Sequence, residues 1–514
     1  MNRKTELSMN RKIVAVVAIT VFGILLAALM PVDEPPAQDR QLGTISFQNS
    51  GGSDAQGPFI EGVLLLHSFE FEDATAAFQA AQQIDPEFGL AYWGEAMTYN
   101  HPLWREQDRD AALEALGRYA PTPDARQAKA PTEREAGYLA AVDILYGDGF
   151  KTERDLAYMG AMSRLAASFP NDHEAAAFHA LSILGSTDGE RDFATYMKAA
   201  AAAQRVFDEN PDHPGAAHYI IHSFDDPVHA PLGLEAARAY SEIAPGAAHA
   251  QHMTSHIFVA MGIWDDVVSA NIRARDVQNA RRAELGRGPN VCGHYTSWLH
   301  YGWLMRGELN DAERGMAECR AIVTDGTATA AEVGYFVNMR ARHVLDTRDW
   351  AAAERLSADV DNPGFHFVNA YAAIMRGDQA AATQARSMMG ERGAQTPPRV
   401  RIMHLEIEAL LALNADDGPR ATRLLQEAAE IEEGLPFEFG PPASLKPPHE
   451  LLGETALALG DHQTALSAFR EALDFTPERT SSLEGLISSA RALDQLATAA
   501  DAQARLDDIR NVSN

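Results

Sequence analysis

The chain has 514 residues, 46% of them hydrophobic, and a formal net charge of −29. That length suits two or three ordinary domains or one solenoid. The acidity excludes nucleic acid as a partner, because phosphate binding needs a basic face, and disfavours anionic lipid surfaces for the same reason. Alanine is abundant and no β-branched run follows the N-terminal region, which predicts an all-α protein. The two cysteines, Cys292 and Cys319, are too few for a disulfide framework and leave one bridge or two thiols open.

Residues 1–12 form a basic tail containing Arg3, Lys4, Arg11 and Lys12. The uncharged run that follows, 13–30, would span about 27 Å as a helix, close to the roughly 30 Å core of a bilayer. It is longer than the apolar part of a signal peptide, about 7–15 residues, and no clear cleavage motif follows it. We read 13–30 as a transmembrane signal-anchor, with a cleaved signal as the alternative. The basic tail stays cytoplasmic, so the protein is a single-pass membrane protein whose C-terminal body is periplasmic or extracellular. Residues 31–58 carry Pro31, Pro35, Pro36, Gly51, Gly52, Gly57 and Pro58 and read as a linker.

The body, 59–510, opens with a helix in which Ala74, Phe78, Ala81 and Pro86 are spaced 4, 3 and 5; Ala465, Phe469, Ala472 and Pro477 repeat that spacing near the end. Alanines let two helices of a hairpin approach closely, the aromatic fills the hole between them, and proline ends the unit. Gly62 and Gly453 stand where the first helix would cross. These two segments resemble the tetratricopeptide repeat, and looser echoes run between them, as in 261–271, 306–319, 347–356 and 375–385. The resemblance implies a right-handed α-solenoid of TPR-like helical hairpins after the one N-terminal transmembrane or signal helix.

The richest stretch is the centre, 213–300. Six of the chain's 18 histidines fall between His218 and His256. His252 follows His218 by 34 residues and His256 follows His222 by 34, the length of one such repeat. At 100° per residue, His218, His222 and Asp225 share one narrow helix face, and so do His249, His252 and His256. Histidines at i and i+4 can share one ion. In the tetratricopeptide family the first helices line the concave groove. By that resemblance His218 and His222 take positions 5 and 9, Asp225 position 12, His249, His252 and His256 positions 2, 5 and 9, and His294 position 2.

The candidate metal ligands are therefore His218, His222, Asp225, His249, His252, His256 and His294, enough for one ion with a supporting shell or for two. An imidazole-dominated set suits Cu, Zn or Fe and disfavours Ca or Mg. Against this stands the ordinary alternative that a histidine on an apolar face is a hydrogen-bonded core residue. Tyr219, Tyr295, Trp298 and Tyr301 are candidate walls of a substrate or partner groove, or simply core. Cys292, two residues before His294, is a soft ligand or an inert buried thiol. The Pro-rich loop 435–448 is either a lid over the groove or a spacer between repeats. Among catalytic motifs, no nucleotide loop, Cys-x-x-Cys, Gly-x-Ser-x-Gly or His-Glu-x-x-His occurs.

The phrases at 218–227, 249–258 and 439–454 also resemble a group of exported bacterial repeat proteins with His-rich central repeats. That resemblance implies fold and address and leaves the reaction open. The leading expectation is a membrane-anchored, periplasm-facing repeat protein with a transition-metal centre in its groove, with catalysis as a metal-dependent hydrolase or oxidase left open. The alternatives are a scaffold that binds an envelope protein or peptide in the groove, and a metal carrier or sensor.

Overall fold

The computed structural model describes residues 40–187, 191–390, 393 and 395–511. The basic tail and the 13–30 run lie outside the described residues. Among the described residues no helix is long and apolar enough to cross a membrane. The described chain holds 25 α-helices, one short 3-10 turn and a two-residue antiparallel strand pair, Asn100–His101 with Glu106–Gln107.

The helices come as hairpins. Pro214–Phe224 pairs with Ala230–Ile243, Ala248–Met261 with Trp264–Glu284, and His294–Arg306 with Leu309–Thr324. Local chemistry sets these starts and stops. Pro214 occupies the first helical position, where its missing N–H costs nothing, and the His213 ring accepts the Ala216 N–H at 3.2 Å. Gly262, in the left-handed region at φ 68°, ends Ala248–Met261 and frees the chain to turn into the helix that begins at Trp264.

The aromatic of each strong repeat is clasped by two glycines. A Cβ on Gly62 or Gly94 would stand 2.8 or 2.3 Å from the Phe78 ring, and one on Gly453 or Gly485 would stand 2.8 or 2.1 Å from Phe469. Each ring thus bridges the first helix of its own hairpin and the first helix of the next. The hairpins and this repeated device define a helical-repeat protein of tetratricopeptide type.

Segments near both ends of the described chain are tied to the centre. Thr44 N–H donates to Asp212 O at 3.0 Å and Gly246 N–H to Gln41 O at 2.9 Å, while Leu42 and Phe47 are buried. Residues 41–58, expected as a free linker, therefore belong to the body: Phe47 packs among Phe59, Trp93 and Tyr138. At the other end Trp264 Nε1 donates to Glu478 O at 3.0 Å. Arg479, 1% exposed, pairs with Asp346 and with Glu450 at 2.8 Å and reaches Tyr301 Oη at 3.4 Å. The His-bearing hairpins thus contact both residues 41–44, near the start of the described chain, and residues 478–479, near its end. A disulfide joins Cys292 to Cys319 across a separation of 27 residues, which removes Cys292 as a free soft ligand.

Candidate metal centre

The first helices bring the histidines together in two groups: His218, His222 and His249, and His252, His256 and His294. Within each group one ring nitrogen per residue lies within 4.8 Å of the others. His218 and His222 come from Pro214–Phe224, His249, His252 and His256 from Ala248–Met261, and His294 opens His294–Arg306. Asp225 stands one residue beyond its helix, which ends at Phe224, rather than at a twelfth helical position. Pro227 disfavours the helical region just before it, and the turn that results aims the Asp225 carboxylate sideways at the next hairpin.

The hydrogen bonds behind the rings decide where the lone pairs point. His252 Nδ1 donates to Asn271 Oδ1 at 2.7 Å; Asn271 Nδ2 donates to Val267 O at 2.8 Å, which assigns Oδ1 as the acceptor. His256 Nδ1 donates to Asp225 Oδ2 at 2.5 Å. His252 therefore presents an unprotonated Nε2, and His256 Nε2 faces it at 3.1 Å. His294 Nε2 lies 2.9 Å from His252 Nε2. In the other group, His218 Nδ1 donates to His67 O at 2.7 Å and its Nε2 lies 3.1 Å from His222 Nε2. His249 Nε2 is buried with no partner.

Two imidazole nitrogens stay this close when a proton on one of them or a metal ion lies between them. Nitrogens bound to one ion at about 2.0–2.1 Å stand about 2.9–3.4 Å apart when the bond angle is near 90–110°, which matches the contacts of His252. Burial pushes His218 down to about 3, and it also drives His222, His249 and His252 below the ordinary histidine range, with neighbouring rings adding to the effect. These rings are neutral at pH 7, the form that ligates metal.

The walls are aromatic. Phe69, a non-glycine residue at φ 55°, packs its ring 4.4, 5.5 and 6.1 Å from those of His218, His249 and His222. Such a backbone is costly for a bulky residue and is retained where its surroundings hold it. Trp298 stacks on His256 at 4.5 Å and meets His252 edge-on at 4.7 Å, and Tyr295 lies 5.0 Å from His252. Tyr301 lines a neighbouring cavity of about 240 Å³ together with Asp225, whose Oδ1 has no partner. Tyr219 is placed behind the groove instead: it is fully buried, with its hydroxyl 2.9 Å from His67 Nδ1.

Of the two readings of the Pro-rich loop, the geometry favours the lid. Phe439 lies 5.3 Å from His256 and 6.3 Å from His222. Gly440, at φ 99°, passes so close to Trp298 that a Cβ would stand 2.3 Å from the indole. Arg342 holds Pro442 O at 2.9 Å, and Lys446 anchors the loop's end on Glu450 and Glu454 at 2.8 and 2.9 Å.

A third buried group, His67, Glu174 and His213, went unseen in the sequence because its members come from three distant helices or their caps. Its nitrogens are complementary rather than opposed. His67 Nε2 donates to Glu174 at 2.7 Å while its Nδ1 takes the Tyr219 hydroxyl; His213 Nε2 donates to Glu174 at 3.2 Å while its Nδ1 caps the helix. No lone pair is left for an ion. This group braces the backbone carbonyl of His67 that orients His218. Asn271, Phe69 and Phe439 were likewise missed: an asparagine in a helix and two phenylalanines carry no local signal of what they meet.

No family model matches the sequence, and no curated protein matches it. Solved structures of similar form include the TPR domain of P58(IPK), at 13% identity over 86% of this chain and 99% of that one, TM-score 0.22. Yeast Tom70 aligns at 12% identity over 86% of this chain and 96% of its own, TM-score 0.33. The human IFIT1 dimer with PPP-AAAA aligns at 13% identity over 87% and 88%, TM-score 0.34. The assignment to the helical-repeat class rests on the hairpins themselves.

Proposed function

We propose that this chain is a metal-binding helical-repeat protein whose centre holds a transition metal through the ring nitrogens of His252, His256 and His294. The observation that carries the reading is the convergence of His256 Nε2 and His294 Nε2 on His252 Nε2, at 3.1 and 2.9 Å, with the His252 and His256 rings held from behind by Asn271 and Asp225. Asp225 is then the group that orients His256 and raises its basicity, not a ligand. Copper, zinc and iron all suit an imidazole set, with the Irving–Williams order favouring copper among divalent ions. The cavity beside Asp225 gives a substrate room next to the centre, which supports a metal-dependent hydrolase or oxidase over a carrier or sensor.

The disulfide supports export to an oxidising compartment, consistent with anchoring through residues 13–30 and a periplasmic or extracellular body. A second reading, a scaffold for an envelope protein or peptide, draws on exposed apolar side chains outside the covered groove, Val228 at 74% and Leu232 at 62%.

Elemental analysis of the full chain, purified from membranes without chelator, tests the metal reading. At least one transition-metal ion per chain is expected, lost in His252→Ala. Metal no higher in the native protein than in that variant overturns it.

A further inference from the structure

The six rings have an order beyond their number. His218 lies 4.8 and 5.1 Å from His222 and His249, and His252 lies 5.0 and 4.5 Å from His256 and His294. The two triads then meet along two parallel rungs, His222 to His256 at 5.8 Å and His249 to His252 at 6.1 Å. His218 joins His222 to His249 at one end of this array, and His294 joins it through His252 at the other. Each triad has its own face-to-face nitrogen contact, at 3.1 Å in the first and 2.9–3.1 Å in the second. The ring nitrogens fall into two groups of three, each within 4.8 Å of one another, so each triad offers a three-ligand site of its own.

Resting on the metal reading above, we propose that the centre is dinuclear, with one copper ion in each tri-imidazole triad, and that its ligand is dioxygen held between them. Charge selects the metal. All six candidate ligands are imidazoles, which bring no charge of their own as ligands; carboxylates touch these residues at Asp225, behind the His256 ring, and at Glu70, which accepts the His249 backbone N–H at 2.9 Å. Two divalent ions on the order of 4 Å apart would repel with four times the energy of two monovalent ones, in a buried site with little to offset it. Copper(I) is the transition ion of low charge that three imidazoles can hold.

The same balance selects the ligand. Each copper(I) gives one electron to O2, and the resulting peroxide bridges two copper(II) ions. No bond to protein breaks and no proton enters or leaves. The site carries two positive charges before the step and, with four on the metals and two negative on peroxide, two after it. A buried site can accommodate a reaction that leaves its net charge unchanged. Phe69 on the first triad, Trp298 on the second and Phe439 over the His222–His256 rung wall the gap with apolar rings. A small neutral molecule passes such walls more readily than an ion.

The test uses the full chain, stripped of metal and loaded with copper(I) without oxygen. Two coppers per chain are expected, and one in each of His222→Ala and His294→Ala; His294 is the exposed member and the gentler change. Admitting O2 should consume one O2 per two coppers, produce a near-ultraviolet charge-transfer band and leave no electron paramagnetic resonance signal, because bridged copper(II) spins couple. One copper per wild-type chain overturns the pair and leaves the mononuclear reading standing. Two coppers that give separate paramagnetic signals after O2 overturn the bridge. No copper bound at all overturns the copper pair, and a native protein that also lacks zinc and iron overturns the metal reading with it.

Discussion

Replacing Asp225 with Asn tests the part of the centre that geometry defines most sharply. The Asp225 carboxylate accepts the His256 Nδ1 proton at 2.5 Å, and its other oxygen has no partner. Asn keeps the shape and an acceptor oxygen but removes the charge. A hydrogen bond to a charged group is worth about 1.5–3 kcal/mol and a neutral one about 0.5–1.5, so the loss is about 1–2 kcal/mol. Changes in the residues that orient metal-bound histidines typically cost 10–100-fold in affinity, which is about 1.4–2.7 kcal/mol. The two figures overlap, and Asp225→Asn should weaken metal binding by roughly tenfold or more. The assay is competition with a chromophoric chelator, with melting of the metal-free protein as the control for folding. Asp226→Asn serves as comparison, since that carboxylate meets Arg191 and His229 and not the ring cluster. Equal affinity in wild type and Asp225→Asn, with both folded, would refute the role of Asp225 behind a metal-bound His256.

Three further perturbations follow from the same structure. Removing the bridge by Cys292→Ser with Cys319→Ser should lower stability by about 3–4 kcal/mol, from the loop entropy that a 27-residue closure withholds from the unfolded chain; the denaturation midpoint of the oxidised protein reads it, and an unchanged midpoint would contradict it. Glu406 is 1% exposed with Oε1 unpartnered, and burial, aided by Glu432, pushes its carboxyl well above the usual range. The folded state therefore keeps a proton that the unfolded chain releases above about 4.3, so stability falls as pH rises through that value toward the folded one. Glu406→Gln should raise the melting temperature at pH 7 and leave it nearly unchanged at pH 4; a gain of equal size at both would mean that ionisation is not the cause. Phe439→Ala opens the loop over the His222–His256 rung and should speed metal removal by a chelator while leaving the equilibrium metal content unchanged, read by the rate of colour development.

The sequence by itself determined the helical class and the phase of the central hairpins. A repeat of 34 residues places His218 and His222 in register with His252 and His256, and helix starts at Pro214, Ala248, Trp264 and His294 follow from proline, glycine and the repeat length. Those are local effects: backbone chemistry acts over a few residues, and the period of a helix fixes which side chains share a face. Tertiary structure alone decided what stands behind and above the rings. Asn271 reaches His252 from the second helix of the same hairpin, the His67 carbonyl reaches His218 across 151 positions, and Phe439 arrives from a loop nearly 200 residues away. It also ended a helix before Asp225, drew residues 41–58 into the body and tied Arg479 to Asp346 and Glu450. Such partners meet only because distant hairpins pack, and packing complementarity between surfaces far apart in the chain has no period and no spacing to be read.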